Sequence, residues 1–463
     1  MKWTRRQAFL GAGAATVAGC APTILPAQDA DVLILGAGLS GLRAAMLLNA
    51  RGVKVTVLEG QERVGGRLHT LDHLPGRPEA GGIQIGKGYR RIREAADTVG
   101  VRIIAPPEGT GRERTMIFRG DVFSTTDWAT HPGNPFPEQL KRSAPDSLLF
   151  ALSAPANPID DPANWRDAAR SSDVAASAFL AQAGLSEEAR ALCDIALNAN
   201  NLDTYSMINV WRSLALYRLD SAAGPSDVVE GGSQRLPEAM AGSLPAGSVR
   251  LGVRIKRIEE GRGGVVIETD QGQFRAPYVI CTLPFPALRA VGIDAPIDAV
   301  TQTAIQNLPY TQVRQIHLAI EKMPADGLPL SMWTDTPIER VFPQQAPDGE
   351  VVGMKVWING DGAIGPAKDQ ELFEFATSIL AEKRGMKVRP LEVARWDRDQ
   401  AMVGGAYMHW APGTITPWAD NMGAPTARLH FAGEHLSFYH TGMEGAMETA
   451  DRAADSVLTK LSA

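Results

Sequence analysis

Apolar and polar positions change period along this chain, and each change marks an element. Asp31-Val-Leu-Ile-Leu-Gly36 is apolar on both faces, the pattern of a strand buried inside a parallel sheet. The stretch RAAMLLNARG that follows returns to spacings of three and four and stops at Gly52, as a helix does. Val53-Lys-Val-Thr-Val-Leu58 then reads as a second strand, completing the start of a βαβ unit. Residues 172–218 carry Ser and Asp starts, a Gly184 stop and helical apolar spacing, which predicts a mostly helical insert. Gln312–Ile320 and Val351–Ile358 alternate or run β-branched, which predicts sheet. Beyond residue 30 no run of about 18 strongly apolar residues occurs, so the body of the chain holds no membrane-spanning pattern.

At 463 residues the chain has room for two or three domains, at roughly 100 to 200 residues each. Hydrophobic residues at 44% and charged residues at 21% are values of a folding chain, not a disordered one. Lys and Arg number 46 against 52 Asp and Glu, a net charge of -6, which leaves no broad footprint for nucleic acid. The first 29 residues differ from the rest. Thr4-Arg5-Arg6-Gln7-Ala8-Phe9-Leu10 before a Gly/Ala-rich stretch resembles a twin-arginine export signal, which predicts a periplasmic protein. Val17-Ala18-Gly19-Cys20 resembles a lipobox, so two outcomes stay open: a lipid-anchored form, with membrane contact through Cys20, or a cleaved soluble one. Cys193 and Cys281 lie in apolar contexts and read as buried thiols.

The turn between the first strand and its helix is Gly36-Ala-Gly38-Leu39-Ser40-Gly41. Gly36 permits the tight turn, Gly38 lets backbone approach a pyrophosphate, Gly41 allows close helix packing, and the helix start at Leu39 and Ser40 supplies oriented N–H donors. Glu59 ends the second strand, where a carboxylate binds a ribose 2′-hydroxyl and repels a 2′-phosphate. Arg63-Val-Gly65-Gly66-Arg67 comes next. Its glycine pair lets the loop pass beneath the pyrophosphate, and Arg67 offers a fork for phosphate oxygens, a combination that points to FAD over a nicotinamide dinucleotide. Together these residues resemble the opening of the flavin-containing amine oxidase family, which includes monoamine, polyamine and L-amino acid oxidases.

The resemblance continues along the chain. Glu79-Ala-Gly81-Gly82-Ile-Gln84-Ile-Gly86 is similar to the family's segment under the flavin ring, and Val253-Arg-Ile-Lys-Arg-Ile258 to the stretch whose valine backbone holds the adenine. Val279–Pro284 is similar to its return strand; Trp396, Gly404-Gly405-Ala406-Tyr407, Gly433-Glu434 and Met443-Glu444-Gly445-Ala446 are similar to its closing motifs. The resemblance implies an α/β fold: a FAD-binding Rossmann-like domain of the glutathione-reductase type plus an α+β substrate domain. The FAD domain is expected from residues 30–95, 228–295 and 395–463, and the substrate domain from 96–227 and 296–394. Ala406 stands where relatives bond the flavin through cysteine, which implies non-covalent FAD.

The implied reaction is oxidation of a small-molecule amine to an imine that water then hydrolyses. Tyr407 and Trp396 match catalytic positions, while the second aromatic of the substrate cage is Gly442, leaving Tyr439, His440 or His409 to take its place. Gln315 falls where the family has a lysine, unless the register shifts and Arg314 takes it. A neutral amide there implies slow reaction with O2 and a cytochrome or quinone-linked acceptor instead. Gln84 replaces the arginine with which snake-type L-amino acid oxidases bind a substrate carboxylate, so an amino-acid substrate needs Arg90, Arg91 or Arg212. His435 and His440 lack metal-site spacing. The competing readings are an L-amino acid oxidase and a non-catalytic flavin-binding protein; carotenoid desaturases match the C-terminal motifs less well.

Overall fold

Val32–Leu35, with four side chains at 0–1% exposure, is the middle strand of a five-stranded parallel sheet in the computed structural model. The structure describes residues 30–106, 113–222, 224–346, 348–363, 368–398 and 402–463; the segment expected to be an export signal and Cys20 lie outside them. The sheet runs Leu429–Phe431, Tyr278–Cys281, Val32–Leu35, Val55–Leu58, Val249–Arg250. Its strands come from three separated parts of the chain, and helices Leu39–Asn49 and Gly442–Leu461 pack against each other beside it. Arg43 Nε, on the first helix, joins Asp451 on the second at 2.8 Å. Removing each large apolar side chain of such a layer from water is worth about 1.5–3 kcal/mol, which is why the order is kept by residues this distant in sequence.

The helical insert forms Trp165–Ser172, Ala176–Gln182, Glu187–Asp194 and Met207–Ala222; Ser186 caps the third through its hydroxyl, and Gly184 is left-handed at φ 84°. The expected sheet strands are Val313–Lys322 and Val351–Asn359, and they belong to a seven-stranded sheet. Thr115–Phe118 and Asp121–Ser124 of the first insert also join it, and Lys387–Trp396 runs across the expected boundary at 395. Alternation sorts the faces. Ile316, Leu318, Val341, Met354 and Val356 pack beneath helix Asp369–Arg384. The opposite face therefore carries Gln315, Trp357, Arg340 and Trp333, which stand side by side: Gln315 opposite Trp357, Trp357 opposite Arg340, Arg340 opposite Trp333.

Candidate active site

A single cleft runs from the carboxyl ends of the parallel strands to that second face. Of the residues expected to serve a site, Gly36, Gly38, Leu39, Ser40, Glu59, Gly66, Arg67, Gly81, Gly82, Gln315, Trp396, Tyr407, Glu434, Gly442 and Met443 all line it. Gly41 sits just behind: a Cβ there would stand 2.0 Å from the Gly36 carbonyl oxygen, so the close helix approach requires glycine. A Cβ at Gly81 would stand 2.0 Å from the Arg67 oxygen. At Gly38 a Cβ would meet nothing within 4 Å, because its backbone borders the open cleft.

The chemistry of this end is that of an anion cradle. Gly38 caps helix Leu39–Asn49 without a side chain, and the Ser40 hydroxyl is buried with no partner. Helix Gly442–Leu461 likewise begins at the cleft with no side-chain cap at Thr441. Two helix N-termini without side-chain caps and an unpartnered buried hydroxyl form a donor set that fits pyrophosphate oxygens. Glu59, 7% exposed, accepts from Ala37 N at 2.7 Å and Gln61 N at 2.8 Å; burial pushes its pKa up, and those two amides together with Arg63 pull it back. The site fits a dinucleotide with a free ribose.

Several expected roles change. Arg67 Nη1 donates to Glu434 Oε1 at 2.8 Å and the Ala406 carbonyl at 3.0 Å, so one arm of the fork and the glutamate expected at the ribityl chain hold each other. The glycine loop is held instead by Arg63, which donates to the carbonyls of Val64, Leu68 and Gly66 at 2.8–3.2 Å. Val253 donates its amide to the Glu59 carbonyl at 2.8 Å, which ties the valine to the end of the second strand. Gln84 is exposed and away from the lining: Ile85 is buried and bridged to Asp227, which turns its neighbour outward. His440 is likewise off the lining, 6.0 Å from Tyr89 and 4.8 Å from Tyr439.

At the other end, Trp396 Nε1 and Gln315 Nε2 converge on the Ala80 carbonyl at 2.5 and 2.9 Å, fixing the segment that continues into Gly81. Gln315 Oε1 is buried without a partner. Arg314, one residue earlier, instead donates to Asp397 at 2.7 Å and does not line the cleft, so it does not take the family's lysine position. Lys355, on the same face, places its amine 3.5 Å from the Glu79 carbonyl, and burial lowers its pKa to about 8.

Tyr407 is brought in by Gly404 and Gly405, whose added Cβ atoms would meet Pro286 Cβ at 2.3 Å and Tyr310 Cβ at 2.5 Å. Burial raises its hydroxyl pKa, with Arg340 acting against that rise. Nothing lies within 4 Å of a Cβ at Gly442, so this side of the cage is open. His409 does not fill it, being buried with Nδ1 on Thr311 Oγ1 at 3.0 Å. Trp357 lines the cleft, and Tyr205 lies within electrostatic reach of Tyr407. No motif signalled either; strand register alone places Trp357. Of the arginines weighed from sequence, Arg91 pairs with Glu444 and Asp451, Arg212 donates to the His440 carbonyl at 2.7 Å, and Arg90 is exposed. Among the described residues no group of three His, Cys, Asp or Glu side chains is placed to hold a metal.

The family model described as flavin containing amine oxidoreductase matches residues 39–458. An L-amino-acid oxidase of Siganus canaliculatus is 26% identical over 459 residues, covering 92% of this chain and 85% of that one. Amine oxidase [flavin-containing] B of Homo sapiens is 22% identical over 468 residues, covering 92% and 86%. Among solved structures, cyclohexylamine oxidase from Brevibacterium oxydans superposes with a TM-score of 0.75 at 21% identity, covering 94% of this chain and all of that one, a likeness of fold.

Proposed function

The chain belongs to the flavin-containing amine oxidoreductase family, and on that premise we propose that it oxidises a primary or secondary amine to an imine, released as aldehyde or ketone after hydrolysis. It is a FAD-dependent enzyme, and FAD when bound supplies the acceptor for the hydride leaving the carbon beside nitrogen. Ala406 lines the cleft where relatives carry a cysteine, and among the described residues no cysteine lines it, which supports a cofactor held without a covalent bond.

The observation that carries the reading is continuity: Ser40, Glu59 and Gly66 line the same cleft as Gln315, Trp396 and Tyr407. Arg67 and Glu434 neutralise each other there, and the substrate end is walled by Tyr407, Trp357 and Val313. A weakly polar enclosure disfavours an ammonium ion, which favours the neutral amine whose lone pair assists hydride loss. Tyr407 orients that amine; Gln315 and Trp396 hold the backbone of Ala80 under the reacting face. The test is anaerobic flavin bleaching by a panel of amines. Tyr407→Ala is expected to slow it on the order of a hundredfold at unchanged FAD content. Bleaching at the parental rate in that variant overturns the assignment.

Gln315 puts no charge at its position, which favours slow reoxidation by O2 and use of a cytochrome or quinone-linked acceptor. Export by the twin-arginine route, supported by Thr4–Leu10, would place the enzyme where such carriers are.

A further inference from the structure

Arg340 stands on the cleft face of the seven-stranded sheet, directly opposite Trp357, which lines the cleft, and Trp357 is itself opposite Gln315. Opposed residues on paired strands project to the same side, so the guanidinium points into the space between sheet and helical insert. Its Nη2 donates to Asn198 Oδ1 of that insert at 3.1 Å, and its Nε is buried with no acceptor. Tyr407 is within its electrostatic reach. Both acids that act on it are engaged elsewhere: Glu339 accepts from Asn359 N at 3.0 Å and Asp146 from Arg114 Nη2 at 2.9 Å. Among the described residues no carboxylate lies within ion-pair distance of Arg340.

A recessed guanidinium without a counter-ion is costly to keep, and such groups mark places where a ligand completes the pairing. The planar fork matches a carboxylate, and Nε with the neighbouring nitrogen forms one of its two-point edges. We propose that Arg340, one rung beyond the lining residue Trp357, is a specificity-determining residue at the edge of the substrate cavity and binds the carboxylate of an amine that also carries an acid group. This rests on the amine-oxidising reading above. A cation within electrostatic reach of Tyr407 also repels an ammonium group and so disfavours diamines at that end.

The experiment uses the FAD-loaded protein and two matched pairs. Phenylacetate and phenylacetamide are titrated against the oxidised flavin spectrum, and phenylalanine and phenethylamine are compared as reductants. The parent is expected to bind phenylacetate about tenfold tighter than the amide. Arg340→Gln is expected to erase that preference, raise KM for phenylalanine about tenfold and leave phenethylamine unchanged, with Arg340→Lys retaining part of the preference. Absence of a preference in the parent, its survival in Arg340→Gln, or equal loss for charged and neutral ligands overturns the inference. Should Arg340→Gln not load FAD, Asn198→Ala at an exposed position decides: selective weakening of phenylacetate supports the proposal, and no selective change overturns it. If no amine bleaches the flavin while the carboxylate preference still depends on Arg340, the proposed reaction fails and the anion site stands. If amines bleach it without preference, the reverse holds.

Discussion

Glu59→Ala separates the two tasks given to one buried carboxylate. In the cofactor-free protein it removes the acceptor of Ala37 N, a residue at 0% exposure whose N–H has no water to turn to, and of Gln61 N, which is partly exposed. Leaving one such donor unmet costs about 1–3 kcal/mol of stability. Cofactor binding loses in addition whatever ribose hydroxyls donate to the carboxylate, about 1.5–3 kcal/mol per bond, or about 10- to 150-fold in Kd for each. Glu59→Gln keeps one neutral acceptor and should fall between parent and alanine variant in both respects. Thermal melting of the FAD-free proteins reads the first quantity, and titration of FAD by quenching of its fluorescence reads the second. A parental Kd in Glu59→Ala, whatever its melting temperature, would mean the ribose is held elsewhere and would refute the placement of the dinucleotide along this strand.

Acid precipitation should release all yellow colour into the supernatant; colour in the pellet would contradict a non-covalent flavin. Gln315→Lys should speed reoxidation of substrate-reduced enzyme in air relative to reoxidation by cytochrome c, whereas parent reoxidation in air as fast as with any dye would remove the argument from charge. Gly442→Trp should narrow the amine range, at about 1–2 kcal/mol of backbone strain from its φ of 55°, and an unchanged range would show that the opening is not used. Glu339, 8% exposed, has its pKa raised from 4.5 to about 7 chiefly by burial. Between those values the native state keeps a proton that the unfolded state has lost, so stability falls as pH rises through the window, by up to about 3 kcal/mol in total. Glu339→Gln should flatten that fall in pH-dependent melting; parallel curves would count against it.

The cofactor end was legible because its signal is local. Thirty-odd residues from Gly36 to Arg67 contain strand, turn, helix, acid and second glycine pair, each with one physical reason for its residue type. Backbone roles are harder to read: the side chain of Val253 says nothing about its amide, which goes to the Glu59 carbonyl, and the sequence of the loop does not reveal that Gln84 lies exposed beside the buried Ile85. The hairpin of Thr115–Phe118 and Asp121–Ser124 went unseen because TMIF is buried on both faces and shows no alternation. Trp357 and Arg340 are 17 positions apart in the chain and adjacent only through antiparallel register, which periodicity does not supply.

Steric tolerance accounts for where this chain departs from its family pattern. On the pyrophosphate side an added Cβ collides with main chain, at 2.0 Å for Gly41 and again for Gly81, and main chain yields only by moving the strand or loop it belongs to. The phosphate-binding geometry is therefore tied to the fold itself. On the substrate side the positions that differ are less constrained: Gly442 has nothing within 4 Å, and the buried Gln315 side chain makes one hydrogen bond, to the Ala80 carbonyl, with its own oxygen left over. Changes there alter what the cavity recognises without disturbing the sheet that carries it. The Cβ of Arg340 is fixed by pairing with Trp357 and Trp333, while the charge at its tip depends only on side-chain length and identity. If Arg340 selects the substrate as proposed, that choice lies on the inner face of the seven-stranded sheet, one rung away from the aromatic wall, and can change without altering the glycine-lined end.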